Sequence, residues 1–209
     1  MAIDDILDEH EQSERVLEWL RRNGAGLIAG IVLGLASIGG FKWWQQNQQQ
    51  QDIRAASEYQ AALDAIEAGD KQALAKVKSL RSETYATLAS LELAESQVVA
   101  GQRDVAISTL RGIKTRDPAI TAVVNQRLAR LLIDAKQADA ALNLLADASS
   151  AAALEVRGDA HYALGQKDQA RASYAQSLAK TDEASPQRRL LELKLTEVGG
   201  VPARTEAKS

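Results

Sequence analysis

The sequence predicts an all-α protein in which a single transmembrane helix precedes a short domain of repeated helix pairs. Three observations carry this reading. Nineteen consecutive residues, from Asn23 to Phe41, carry no charge. The composition is helical: hydrophobic residues make up 45%, aromatics only 4%, and proline occurs three times. Alanine, which is abundant, gives up the least side-chain entropy in a helix, and the β-branched and aromatic residues that strands favour are sparse outside the apolar run. Finally, helix-breaking pairs recur at Gly69-Asp70, Gly101-Gln102, Lys136-Gln137 and Gly165-Gln166.

Residues 1–22 come first. Ile3, Ile6, Leu7, Val16, Leu17 and Leu20 follow helical spacing, and acids fill the remaining face. The stretch predicts a cytoplasmic amphipathic helix with seven acids, Asp4, Asp5, Asp8, Glu9, Glu11, Glu14 and Glu18, against three arginines. An acidic face is repelled by anionic lipid, so a solvated helix or a protein contact is expected, not a membrane-surface helix.

Residues 23–44 are the expected transmembrane helix. The uncharged run covers roughly 28 Å at the helical rise, close to the hydrocarbon thickness. Arg21 and Arg22 end it on one side and Lys42 on the other. All three tryptophans, Trp19, Trp43 and Trp44, lie at its two ends, where interfacial aromatic belts form. Arg15, Arg21 and Arg22 precede the span and only Lys42 follows closely, which places the N-terminus inside. A cleaved signal peptide is the competing reading. The long acidic stretch before the apolar run disfavours it, because signal peptides begin short and basic. Gly26, Gly30 and Gly34 repeat every four residues. Such a stripe lets another helix backbone approach closely, though glycines are also common in spans that pair with nothing.

Residues 45–54 open with a glutamine-rich tract and contain no Gly or Pro. Glutamine is a fair helix former, so a polar helical stalk is expected.

Residues 55–200 carry the repeats. The intervals between the four breaks are 32, 35 and 29 residues. They bracket the period of about 34 residues of a tetratricopeptide repeat. Residues 153–178 match best: Leu154, Gly158, Gly165, Ala170, Tyr174 and Leu178 fall at consensus spacings. Gly158 and Ala170 are small so that two helices can close, Gly165 supplies the positive φ that ends the first of them, and Tyr174 fills the groove to the next element. Residues 88–118 match next, with Leu93, Ala94, Gly101, Ala106 and Pro118. Residues 122–150 keep Leu128, Ala129 and Ala141 but lack the turn glycine, and residues 55–80 keep only Ala62 and Gly69. Asp117-Pro118 and Ser185-Pro186 each predict an N-cap followed by proline at the first helical position. The last helix, from 186 to Gly199-Gly200, has no partner in sequence and is expected to cap the stack. Residues 201–209 are expected to form a disordered tail.

No catalytic motif is read from the sequence. There is no cysteine, which excludes disulfides, thiolate metal sites and a cysteine nucleophile, and suits an oxidising compartment. There is no phosphate-cradling glycine loop, no HExxH and no GxSxG. His10 and His161 fall on opposite sides of the span, and Glu155 and Asp159 share a helix face from which His161 points away. No enzyme and no cofactor is predicted, and a net charge of −3 gives no basic field for nucleic acid.

Repeat stacks of this type bind protein along the concave surface formed by their first helices. By repeat position that surface is expected to hold Leu88, Leu91, Glu95, Val98, Val123, Gln126, Arg130, Ile133, Glu155, Asp159 and Tyr162. The alternative for the aliphatic ones is the core.

The whole architecture resembles one family. The acidic N-terminal helix, the Gly-rich span ending KWWQ, the glutamine-rich stalk, the Ala-rich repeats and the KTDEASPQRRLLELKL stretch are similar to the YfgM family, ancillary subunits of the bacterial SecYEG translocon. The resemblance implies an inner-membrane protein with a tetratricopeptide-like periplasmic domain. It implies association with SecYEG and with the membrane-anchored chaperone PpiD, and assistance to newly translocated periplasmic or outer-membrane precursors. It also implies a cytoplasmic contact of the N-terminal segment with the response regulator RcsB. A scaffold for another envelope complex is the alternative function.

Overall fold

The structure, a computed structural model, describes residues 4–202, with side chains from Ser13 onward. His10, most of the acidic N-terminal face and residues 203–209 of the expected tail lie outside the described side chains or residues. Two compact units divide at Arg54 and Ala55.

Among the described residues, the first unit is helix alone. α1 (Asp4–Glu67) begins here and runs unbroken through the apolar segment and residues 45–54. Its apolar window has mean hydropathy 1.9, and none of it is buried within the protein. The helix is therefore long and apolar enough to cross a membrane, and its exposed side chains call for lipid. The polar side chains inside the run turn back onto the helix. Asn23 Nδ2 donates to the Trp19 carbonyl at 3.0 Å, and the Ser37 hydroxyl to the Leu33 carbonyl at 2.8 Å. Such bonds spare hydrocarbon an unsatisfied donor. No atom crowds the Cβ positions of Gly26, Gly30 or Gly34, so that stripe is an open face.

The second unit is a stack of short helices: the end of α1, then α2 (Ala73–Ser79), α3 (Glu83–Val99), α4 (Arg103–Arg111), α5 (Pro118–Asp134), α6 (Ala138–Leu144), α7 (Ala151–Ala163), α8 (Lys167–Lys180) and α9 (Gln187–Glu197). Packing is densest within the pairs α3/α4, α5/α6 and α7/α8. The described residues contain no strand.

The same turn is used at each break. Gly69, Gly101 and Gly165 have φ of 64°, 74° and 73°. Each amide bonds a carbonyl three residues back, and the next residue's amide reaches five back, as in Gly101 to Val98 and Gln102 to Gln97. This is a Schellman closure, which ties down the free carbonyls of a helix end. Lys136 makes the same closure at φ 61°, although it carries a Cβ.

Helix starts are also selective. Ser82, Asp117 and Ser150 cap α3, α5 and α7 by accepting backbone amides, Asp117 those of Ala119 and Ile120 at 2.8 and 3.2 Å. The Ser185-Pro186 expectation is corrected. Pro186 itself stands at the N-cap of α9, and the Ser185 hydroxyl donates to Gln187 Oε1 at 2.7 Å instead of capping.

Three hydrophobic clusters follow one another along the stack. Ala62, Ala65, Ile66, Val77 and Leu93 join the end of α1 to α2 and α3. The largest cluster runs from Leu91 on α3 to Ala160 on α7. Tyr174, Leu178, Leu191 and Leu195 join α8 to α9. Each helix pair thus buries its apolar face only against its neighbours, as a solenoid does. Leu91, expected on the concave surface, is buried at 8% exposure and belongs to the central cluster. Ile133, half-buried, packs against that cluster too.

Candidate functional site

α3 and α5, the first helices of adjacent pairs, leave a depression of about 210 Å³ between them. Leu91, Ala94 and Val98 come from α3, Leu131 from α5, and Leu110 of α4 closes the bottom. The positions 91, 94, 95 and 98 lie on one face of a helix, which is why a single stripe of α3 supplies one whole wall. Glu95, Arg127 and Arg130 form the rim. Arg127 Nη1 stands 3.6 Å from Glu95 Oε2, an exposed pair worth little in stability. Arg130 forms no ion pair with any described residue. The result is an open apolar hollow with one uncommitted cation beside it. It can take up an aliphatic or aromatic side chain and pair a nearby carboxylate.

Of the residues expected on the concave surface, Leu91, Glu95, Val98 and Arg130 meet in this hollow. Leu88 and Val123 are exposed at 41% and 42% but lie outside it, and Gln126 is half-buried. Arg127 was not anticipated. It stands three residues before Arg130, one turn along the same helix face, and that spacing would have found it.

Glu155, Asp159 and Tyr162 have a different fate, because α9 lies against them. Lys194 Nζ donates to Glu155 Oε1 at 2.7 Å and to both oxygens of Asp159 at 2.9 Å. The Tyr174 hydroxyl donates to Asp159 Oδ1 at 2.8 Å, and the Tyr162 hydroxyl to Glu197. Burial pushes the Tyr174 hydroxyl well above the ordinary phenol range, helped by its bond to Asp159. Burial alone would lower Lys194; the bonds to Asp159 and Glu155 outweigh it, and the ammonium is held above its usual value. The bond to Glu197 likewise raises Tyr162. The C-terminal helix thus supplies intramolecular partners for the half-buried Glu155 and Asp159, while Tyr162 stays exposed at 42% with its hydroxyl on Glu197. His161 stands apart, its Nδ1 2.7 Å from Gln166 Oε1.

No group of three or more histidine, aspartate or glutamate side chains among the described residues is placed to hold a metal. The hollow offers apolar contact and charge, and no nucleophile paired with a base.

Residues 17–200 match the family model described as a tetratricopeptide repeat-like domain. A curated Escherichia coli (strain K12) protein called "Ancillary SecYEG translocon subunit" is 31% identical over 197 residues, covering 90% of this chain and 95% of that one. Proteins with the same description from Neisseria gonorrhoeae and Haemophilus influenzae are 28% and 24% identical. They cover 90% and 82% of this chain, and 96% and 89% of their own lengths. No solved structure matches the chain.

Proposed function

The chain belongs to the family of ancillary SecYEG translocon subunits, and from that premise we propose that it is a non-catalytic tether that holds a protein-binding hollow beside the Sec translocon. It is a single-pass protein of the inner membrane. Its N-terminus is assigned to the cytoplasm, on the excess of arginine before the span, and the repeat domain to the periplasm. The open face of Gly26, Gly30 and Gly34 is assigned to packing against a membrane helix of the translocon.

One observation carries the binding role: the apolar hollow between α3 and α5, with Arg130 unpaired at its rim. Its volume suits one or two side chains of an extended segment, not a folded domain. Newly translocated chains present such segments before they fold. Tethering keeps the hollow at high effective concentration near the channel exit, so that weak contacts are enough. The chaperone PpiD is proposed as the partner that shares these clients. Glu155 and Asp159 of α7 are left out of the binding surface, since Lys194 of α9 already pairs with them.

Photocrosslinking in cells from Val98 and Arg130, with Tyr162 as a control position, tests this reading. Adducts with translocon subunits, PpiD or translocating precursors from the first two positions are expected. Adducts only with an unrelated envelope complex would make the protein a scaffold for that complex instead.

A further inference from the structure

The stack has a second hollow. It lies between α2 and α4 with α3 beneath, and holds about 580 Å³. α2 is only seven residues long, too short to fill the space beside α4. Thr87 and Ser90 of α3 line this hollow, and Leu91, Glu95 and Val98 of the same helix line the other. Val77, Leu80 and Ile113 make its apolar lining, with Leu74 and Val105 left 38% and 45% exposed on its sides.

Its charge is one-sided. Lys78 and Lys114 line it, and no carboxylate does. Neither lysine forms an ion pair with a described residue. Three of the hydroxyls are already committed: Ser90 to the Ala86 carbonyl, Ser108 to the Asp104 carbonyl and Thr109 to Gln97. A further hollow of about 490 Å³ adjoins it through Ile113 and Lys114, adds Arg111, and again lacks a carboxylate. This holds in a chain where acids outnumber bases, 28 to 25. The concave rim pairs one of its two cations, Arg127, with Glu95; this one leaves both lysines bare.

We propose that this groove is a second docking surface, and that its occupant is an acidic amphipathic segment of a partner protein. Apolar side chains of that segment enter over Val77, Leu80 and Ile113, and its carboxylates pair with Lys78 and Lys114. An inward-curved groove with an apolar floor suits a protein segment; a flat bilayer surface cannot follow it. Two surfaces that share α3 would let the protein hold a client and a partner together.

The test uses the full chain in nanodiscs of zwitterionic lipid and a fluorescent amphipathic peptide of leucine and glutamate, with leucine–lysine and leucine–glutamine peptides as controls. The leucine–glutamate peptide should bind, more weakly at high salt, and the controls should not. Both lysines are exposed, so K78E combined with K114E leaves the fold intact and should weaken binding about tenfold. R130E, which reverses the cation beside the concave hollow, should weaken it less than the lysine pair does. Absent binding, equal binding of the leucine–lysine peptide, or sensitivity to R130E and not to the lysine pair would overturn the proposal. So would self-association of the chain that the lysine substitutions abolish, which would make the occupant a second copy. The peptide measurement involves no translocon, so it stands or falls apart from the translocon assignment.

Discussion

Lys194 on the last helix reaches back 35 residues to Asp159 and donates to both of its carboxylate oxygens at 2.9 Å. With Glu155 accepting from the same ammonium, one cation neutralises two half-buried acids. Lys194→Met would leave both acids without that partner. Loss of one member of such a cluster costs about 2 kcal/mol. Native-state hydrogen exchange should show the amides of α9 opening first. Replacing the cluster whole, with Glu155→Gln and Asp159→Asn added to Lys194→Met, should recover most of the loss, because no buried charge then lacks a partner.

The same contact sets an alkaline limit. Lys194 is held above its usual value of 10.5 when folded. Its contribution is therefore complete below that value and is lost as pH rises through the higher folded value. Tyr174 is also raised, from 10.0. Above that pH the unfolded chain releases the phenolic proton more readily than the folded one, which again favours unfolding. Both act in one direction, so thermal stability should fall as pH rises beyond about 10. Lys194→Met should flatten that decline in a thermal melt series, and Tyr174→Phe should flatten it further.

Gly158 exists for the Tyr174 ring. A Cβ at position 158 would overlap Cε1 and Cδ1 of that ring, and both residues are buried. Gly158→Ala should destabilise the domain by about 1–3 kcal/mol, the range for overpacking a core. The intrinsic helix preference of alanine recovers up to about 1 kcal/mol of that. Combined with Tyr174→Leu, the substitution should cost less than the sum of the two, as measured by denaturant unfolding.

What the sequence reveals of this fold depends on whether one residue type has a unique physical use. Gly101 and Gly165 mark their turns plainly, because a positive φ is cheap only for glycine. The Asp117-Pro118 cap is equally plain. The wall of the concave hollow on α3 could be read from helical spacing alone. The face of α7 could not. Glu155 and Asp159 look like exposed groove acids until Lys194, far along the chain, is brought over them by α9. Leu110 at the bottom of the hollow and the stacked rings of Tyr59 and Tyr85, 4.9 Å apart, depend likewise on how separate helices meet. No local pattern encodes that.

Lys136 shows a turn surviving without its preferred residue. It holds φ at 61° and makes the same closure as the glycines. The left-handed region costs a residue with a Cβ about 1–2 kcal/mol. Glycine removes that strain but loses more backbone entropy on folding, by up to about 1 kcal/mol. Lys136→Gly should therefore stabilise the domain by about 0.5 kcal/mol. A rise in the denaturant midpoint with no change in slope would verify it.

The two arginines beside the concave hollow should behave differently although they stand one turn apart. Arg127 is already engaged by Glu95, and Arg130 is not. An extended peptide carrying a leucine and a nearby aspartate would place the leucine over Ala94 and Val98 and its carboxylate by Arg130. Arg130→Ala should then weaken binding of that peptide about tenfold and leave its asparagine counterpart unaffected, since only the charged form uses the guanidinium. Arg127→Ala should weaken the aspartate peptide as well, by a smaller factor, because it frees Glu95 to repel the incoming carboxylate. Arg127→Ala with Glu95→Gln should restore binding. If Arg130→Ala affected both peptides equally, the arginine would be acting through its apolar stem and not its charge. Fluorescence anisotropy of the full chain in detergent, at low and high salt, separates the two.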